Sequence, residues 1–281
     1  MGNKSNLLGS AVLSVLAGLG ISANAALVVE GTNLVNLRAD NATAGTASWA
    51  NTGSLGGSFA KGGAGGTAVT TSNGVQYVPL DGTTFYTGPN APASITGSGT
   101  RSVEAWVRNP ALLPEETLAA WGHRGGPDGT NNAFNYGSDP SFGAFGGWAG
   151  ADSGWGAGGS PAADALHYLV FTYDGTTERF YADGVLQTSK GFGLNTFNVP
   201  DPFRINAQNS DGSNGAFTVG DGYLLNSVRI DTGVLSQSDI TNNFAGGQGF
   251  QQDVPEPATL SALGLVGCAL MIARRRRRRS L

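Results

Sequence analysis

Apolar and polar side chains alternate in short runs through the middle of this chain, and Gly, Asn and Asp break the runs every few residues. A period of two predicts extended strands separated by tight turns. The clearest run is 101–108, in which Val103, Ala105 and Val107 fall on one face and Ser102, Glu104, Trp106 and Arg108 on the other. Residues 167–173, 177–182 and 185–188 form three more runs, with Asp174-Gly175 and Asp183-Gly184 between them. Asp-Gly between apolar runs is a strong hairpin signal, so these segments predict a three-stranded meander. Weaker runs predict strands over 34–39, 75–80, 118–121, 203–207 and 224–230. The pattern turns helical only near the end. Ser236 is a good N-cap, Asp239 stands three residues on, Leu235 can staple to Ile240, and Ile240 meets Phe244 one turn later.

Many short strands and one late helix make the fold class all-β, a two-sheet antiparallel jelly-roll sandwich. Composition supports this by exclusion. The 281 residues include 45 Gly and only 13% charged side chains, which excludes a coiled coil, and the lack of a Gly-X-Y period excludes a collagen. With 40% hydrophobic residues, including 13 Phe, 7 Tyr and 5 Trp, the chain has the apolar surface an ordered core needs. No Pro-rich linker or charge run interrupts 26–249, which reads as one domain followed by a linker over 250–257. The sole cysteine, Cys268, lies outside that domain, so packing rather than disulfides must stabilise it.

The net charge of -4 conceals an uneven distribution. Six Arg fill 274–279, whereas 26–253 holds nine basic against 19 acidic residues, a charge of -10. At the N-terminus, Lys4, an apolar run from Leu7 to Ile21 and Ala23-Asn24-Ala25 have the layout of a secretory signal peptide, residues 1–25, cleaved after Ala25 by signal peptidase. Residues 258–273 are uncharged and predict a transmembrane helix, with 274–281 as its cytoplasmic Arg-rich tail. An Arg block beside a spanning segment is a membrane flank, which argues against a nucleic-acid partner. Pro255-Glu256-Pro257, the apolar segment and the Arg cluster together resemble the PEP-CTERM sorting tail of exopolysaccharide-producing Gram-negative bacteria. That resemblance implies export, transient anchoring in the inner membrane, processing by an exosortase, and delivery to the cell surface or extracellular matrix.

Within the central domain, Arg101-Ser-Val-Glu-Ala-Trp-Val107, His167-Tyr-Leu-Val-Phe-Thr-Tyr-Asp-Gly175 and Phe180-Tyr-Ala-Asp-Gly-Val185 resemble the signature strands of laminin-G-like, concanavalin-A-like domains. Ser227-Val-Arg-Ile-Asp231 followed by Val234-Leu-Ser-Gln-Ser-Asp-Ile240 resembles their closing strand and terminal helix. The resemblance spans about residues 34–245 and departs at Leu166, where the family often has Trp. It implies a fold that hosts glycan-binding modules and, in separate families, glycoside hydrolases and lyases.

The residues themselves favour binding over catalysis. A retaining glycosidase sets two carboxylates about 5 Å apart, yet Glu104 has Ser102 and Trp106 as same-face neighbours, and Glu115-Glu116 read as a solvated loop after Pro114. His123 and His167 have no zinc-ligand spacing, and no Gly-x-Ser-x-Gly elbow is present. The chain is therefore expected not to be an enzyme. Its richest region is 121–155, where aromatic residues mix with Asn, Asp, Arg, His and Gly. Aromatic faces stack on sugar CH groups while the polar side chains reach hydroxyls. Candidate ligand-binding residues are Glu104, Trp106, His123, Arg124, Asp128, Asn131, Trp148 and Trp155, for a polysaccharide or matrix partner. The competing reading has the aromatics filling a curved sheet. No cofactor is certain; calcium is the candidate, with loop oxygens from Asp128, Asp211 and Asn214, although Asp-Gly there is also a plain turn signal. Three functions stay open: a glycan-binding module, a structural surface protein without a specific ligand, and a divergent glycan-active enzyme.

Overall fold

The computed structural model describes residues 27–42, 47–64, 69–72, 74–210, 216–218 and 222–246. In chain order the first strands are β1 (Asn33–Arg38), β2 (Ser48–Ala50), β3 (Ser58–Gly62), β4 (Thr70–Ser72), β5 (Val75–Asp81) and β6 (Phe85–Asn90). They are followed by β7 (Arg101–Arg108), β8 (Thr117–Gly122), β9 (Asn131–Asn135), β10 (Phe145–Gly146), β11 (Leu166–Tyr173) and β12 (Thr177–Ala182). The last are β13 (Val185–Gly191), β14 (Pro202–Ile205), β15 (Ala207–Asn209), β16 (Ala216–Thr218) and β17 (Gly222–Asp231), before helix α1 (Gln237–Ala245). One antiparallel sheet has the order β13-β12-β11-β7-β17-β5-β4, with β1 also paired to β17. The second has the order β10-β9-β8-β14-β6-β3-β2, and β15 and β16 form a separate hairpin.

The expected antiparallel sandwich is present, and the strand at 101–108 has the boundaries the alternation predicts. The meander is β11-β12-β13, in register from Leu169 opposite Ala182 to Tyr173 opposite Glu178. The run expected over 203–207 divides. Asn206 sits at φ 58, ending β14 before β15 begins, and its amide donates to the carbonyls of Asp81 at 2.8 Å and Thr84 at 2.7 Å. A short amide side chain tolerates that left-handed conformation and satisfies two loop carbonyls.

Between the sheets, Val103, Ala105 and Val107 meet Phe171 and Tyr173 from their own sheet and Phe134, Phe145 and Trp121 from the other. Phe145 stacks on Phe171 with centroids 4.6 Å apart. Arg101 is wholly buried here, donating to Asn132 Oδ1, Thr196 Oγ1 and the carbonyls of Ile95 and Gly99. Its guanidinium lies 4.7 Å from the Tyr173 ring, and burial draws its pKa down to about 9.

The outer face of the first sheet is also covered. Trp106, Tyr168, Val170 and Tyr181 pack beneath Leu235 and Ile240, the residues that bring α1 down on the sheet. Ser236 and Asp239 form the expected capping box. Among the described residues no helix is long and apolar enough to cross a membrane. The segments expected as signal peptide (with Ala25), sorting motif (Pro255, Glu256, Pro257), spanning helix and Arg tail lie outside the described residues, as do Asp211 and Asn214.

Candidate functional site

A pocket of about 300 Å³ opens on the outer face of the second sheet, lined by Glu115, Arg124, Asn131, Phe142, Gly146, Trp148, Ala149, Asp152 and Gln208. Alternation along β9 explains its floor. Asn132 and Phe134 turn inward to Arg101 and the core, so Asn131 and Asn135 turn outward. Asn131 is 1% exposed and donates to Gly146 O at 2.8 Å and Gln208 Oε1 at 2.9 Å. Gln208 donates onward to Glu115 Oε1 at 2.7 Å and Thr117 Oγ1 at 2.8 Å.

The rim is a turn held in an unusual conformation. Trp148 has φ 80 and Ala149 φ 49, a region that costs a side-chain-bearing residue about 1–3 kcal/mol unless its surroundings enforce it. Several contacts do so. Asp152 Oδ1 accepts from Trp148 N at 2.8 Å, Asp128 Oδ2 accepts from Gly150 N at 3.1 Å, and Lys190 Nζ donates to the carbonyls of Gly150 and Asp152. Gly147 closes the approach, because a Cβ there would lie 2.6 Å from that of Ala151. The result aims a half-buried Trp148 at the pocket with the Arg124 guanidinium 5.6 Å from its ring centroid. Arg124 also lies 3.5 Å from Glu115 Oε2. Burial raises the Asp152 carboxyl to about 6; its bond from Trp148 N opposes this, while the charge of Glu115 adds to it.

Three of the sequence candidates, Arg124, Asn131 and Trp148, thus meet in one pocket. The others do not. Trp155 is a core residue, 2% exposed, with Nε1 donating to Gly143 O. Trp106 lies under α1, its ring 6.0 Å from Phe244 and 5.1 Å from Tyr168. Glu104 is buried beside it, paired with Arg229 at 2.7 Å and accepting from Tyr168 Oη and Asn243 Nδ2. The polar face of β7 implies solvent, whereas α1 covers it, and these two residues line a separate small cleft with Tyr168 and Arg229. His123 stacks on Phe197 at 3.8 Å and pairs with Asp201 at 2.7 Å, away from the pocket. Asp128 serves the rim through Gly150, and among the described residues no group of three or more His, Cys, Asp or Glu is placed to hold a metal.

Glu115-Glu116 is not a solvated loop. Glu116 is fully buried, accepting from Asn109 Nδ2 and Leu113 N, and Glu115 lines the pocket. Phe142 and Asp152 belong to the rich 121–155 region without being among the named candidates, whereas Gln208 lies outside it. Gln208 stands 93 residues from Glu115, a separation that local pattern does not bridge.

Residues 80–241 match a laminin-G-type family of the Concanavalin A-like lectin/glucanases superfamily. The chain belongs to that family. The pocket residues of this lectin/glucanase-type domain fall within the matched span. Among solved structures it is similar to domain 4 of AbnA, a GH43 extracellular arabinanase from Geobacillus stearothermophilus, in complex with arabinotriose. That match has a TM-score of 0.53 and 17% identity, and covers 76% of this chain and 98% of that one. It is also similar to the binding domain of botulinum neurotoxin DC in complex with rat synaptotagmin II, with a TM-score of 0.50, 11% identity, 76% of this chain and 51% of that one. At these identities the likeness is one of fold. A search of curated protein sequences finds no match.

Proposed function

We infer that this chain is an exported, non-enzymatic carbohydrate-binding protein of the cell surface or extracellular matrix, and that its ligand enters the pocket beneath Trp148. The observation that carries this reading is the pocket itself. A strained, partly exposed Trp is held beside Arg124, Asn131, Glu115, Asp152 and Gln208, pairing an aromatic face with hydroxyl-seeking groups. Its lectin/glucanase-type family and the arabinotriose-bound relative are compatible with a glycan ligand. Export and sorting rest on Ala23-Asn24-Ala25 and on Pro255-Glu256-Pro257 with the following apolar and Arg segments. They imply signal peptidase and exosortase as processing partners.

The test is binding of the full chain to a glycan panel that includes the producer's own exopolysaccharide, with calcium and with chelator. Saturable binding lost in Trp148→Gly supports the site, and loss on chelation adds a calcium dependence. Absence of any saturable binding removes the reading and leaves a structural surface protein. A second reading follows from Glu115 and Asp152 sharing one pocket, since a pair of carboxylates is what most glycan-cleaving enzymes use. Release of reducing ends from the same panel, abolished by Asp152→Asn, would establish that activity.

A further inference from the structure

The described pocket wall carries several acceptors, from Glu115, Asn131, Asp152 and Gln208, with Arg124 as its cationic donor. Both amide hydrogens of Asn131 are committed, to Gly146 O and Gln208 Oε1, while its buried Oδ1 has no donor among the described residues. Gln208 cannot turn round to supply one. Its Nε2 is engaged by Glu115 and Thr117, and Thr117 Oγ1 donates in turn to Asn135 Oδ1 at 2.9 Å. The chain of amides therefore has one direction, set by the Glu115 carboxylate, and ends in an unused oxygen. Asp152 accepts through Oδ1 from Trp148 N, and its Oδ2 takes no donor among the described residues. Among the described lining residues Arg124 is the one cation, 3.5 Å from Glu115 Oε2 and acting through its charge on Asp152. A buried acceptor left without a donor is costly, and a ligand supplying that donor recovers the cost.

We propose that the pocket recognises a sugar unit carrying a free primary amine, bound as its ammonium, within a partly deacetylated amino-sugar polymer. This rests on the reading of the pocket as the carbohydrate site. An ammonium brings three N–H donors and a positive charge to Asn131 Oδ1, Asp152 and Glu115. A hydroxyl brings one donor and no charge. An acetamido group adds a carbonyl acceptor where acceptors are already in excess, and a uronate adds a third carboxylate.

The charged groups around Asp152 set the pH response. Glu115 faces it across the pocket, Arg124 follows β8, Lys190 reaches over from β13, and Glu178 lies behind on β12. A bound ammonium favours ionised Asp152, so amine binding strengthens as pH rises through the range in which Asp152 loses its proton.

The full chain is titrated calorimetrically with hexamers of glucosamine, N-acetylglucosamine, glucose and galacturonate, at about pH 5 and about pH 6, where the sugar amine stays protonated. The expected result is glucosamine binding at least about tenfold tighter than the other three, weakening up to about fivefold at the lower pH. Asp152→Asn, which keeps an acceptor for Trp148 N, should remove both the preference and the pH dependence without lowering the melting temperature. Equal or tighter binding of the glucose or N-acetylglucosamine hexamer, lost in Trp148→Gly, overturns the amine preference while the carbohydrate site stands. Glucosamine binding indifferent to both Asp152→Asn and Trp148→Gly is adhesion of a polycation to an acidic domain, and overturns the proposal. Absence of Trp148-dependent binding by any hexamer overturns both readings.

Discussion

The imidazole of His167 at the start of β11 lies 2.7 Å from Asp183 Oδ2 in the turn between β12 and β13, and its second ring nitrogen lies 2.9 Å from the Ala162 carbonyl. Both partners are acceptors, so the ring is best satisfied with both nitrogens protonated. The hydrogen bond to Asp183 is the largest cause raising the His167 pKa, against desolvation, and the same bond and charge hold Asp183 low despite its burial. Asp183 Oδ1 also accepts from Tyr168 N at 3.0 Å, tying the turn to β11.

A histidine raised in the folded state contributes stability that is complete below its unfolded pKa and lost as pH climbs through the raised value. Asp183 behaves oppositely, its share being present above the ordinary Asp value and lost as pH falls through its lowered one. His167→Gln should cost about 1–2 kcal/mol near pH 6, and less at pH 8, where the wild-type ring has lost part of its advantage. Urea titrations across that range check this; an equal cost at both values would show that the charge is not used.

Glu178 produces a separate slope. It is fully buried, with one oxygen accepting from Ser153 Oγ at 3.0 Å, and desolvation lifts it to about 7. Its stabilising influence is complete below about pH 4.5 and is lost as pH rises through 7. Wild-type stability should fall by on the order of 2–3 kcal/mol over that interval, and Glu178→Gln should flatten the fall. Asp81, Asp174 and Asp183, all held low, impose the opposite slope in more acidic solution. Greatest stability is therefore expected near pH 5, readable from thermal melts.

Two tryptophans should answer truncation differently. Trp155→Ala removes a core ring that contacts Phe134, Tyr136 and Phe180 and should destabilise by about 3–5 kcal/mol. Trp148→Gly removes a half-buried ring but frees the backbone from φ 80, so stability should stay within about 1 kcal/mol of wild type. Chemical denaturation of both variants, alongside glycan binding, separates packing from recognition.

Arg101→Lys should be one of the costliest conservative substitutions in the chain. A single ammonium cannot span Asn132, Thr196 and the carbonyls of Ile95 and Gly99, which would be left buried and unpaired. A loss of about 3 kcal/mol or more in urea unfolding is expected.

The parts of the fold legible in the sequence are those whose signals are local. The Asp-Gly turns, the apolar alternation of β7 and the Ser236 cap each sit within a few residues of the element they define. By contrast β9 reads Asn-Asn-Ala-Phe-Asn, because the outward side chains of a pocket floor are polar and one inward position serves Arg101. Such a strand has no apolar period to find. Trp106 and Trp155 resembled a sugar platform for want of knowing what covers them. Glu115 and Gln208 join Trp148 only through the sheet, so composition pointed to the region without selecting these partners.

Val28 shares two hydrogen bonds with Asn243, its N–H donating at 2.7 Å and its carbonyl accepting at 3.1 Å, while Arg229 also reaches that carbonyl. Both described ends of the domain are thereby clasped on the outer side of the first sheet, whereas the pocket opens from the outer side of the second. The described ends of the domain thus stand at its back. Anything that tethers it by either end holds the mouth of the pocket outward, like a cup fixed by its base, and leaves it open to a polymer arriving from the surroundings.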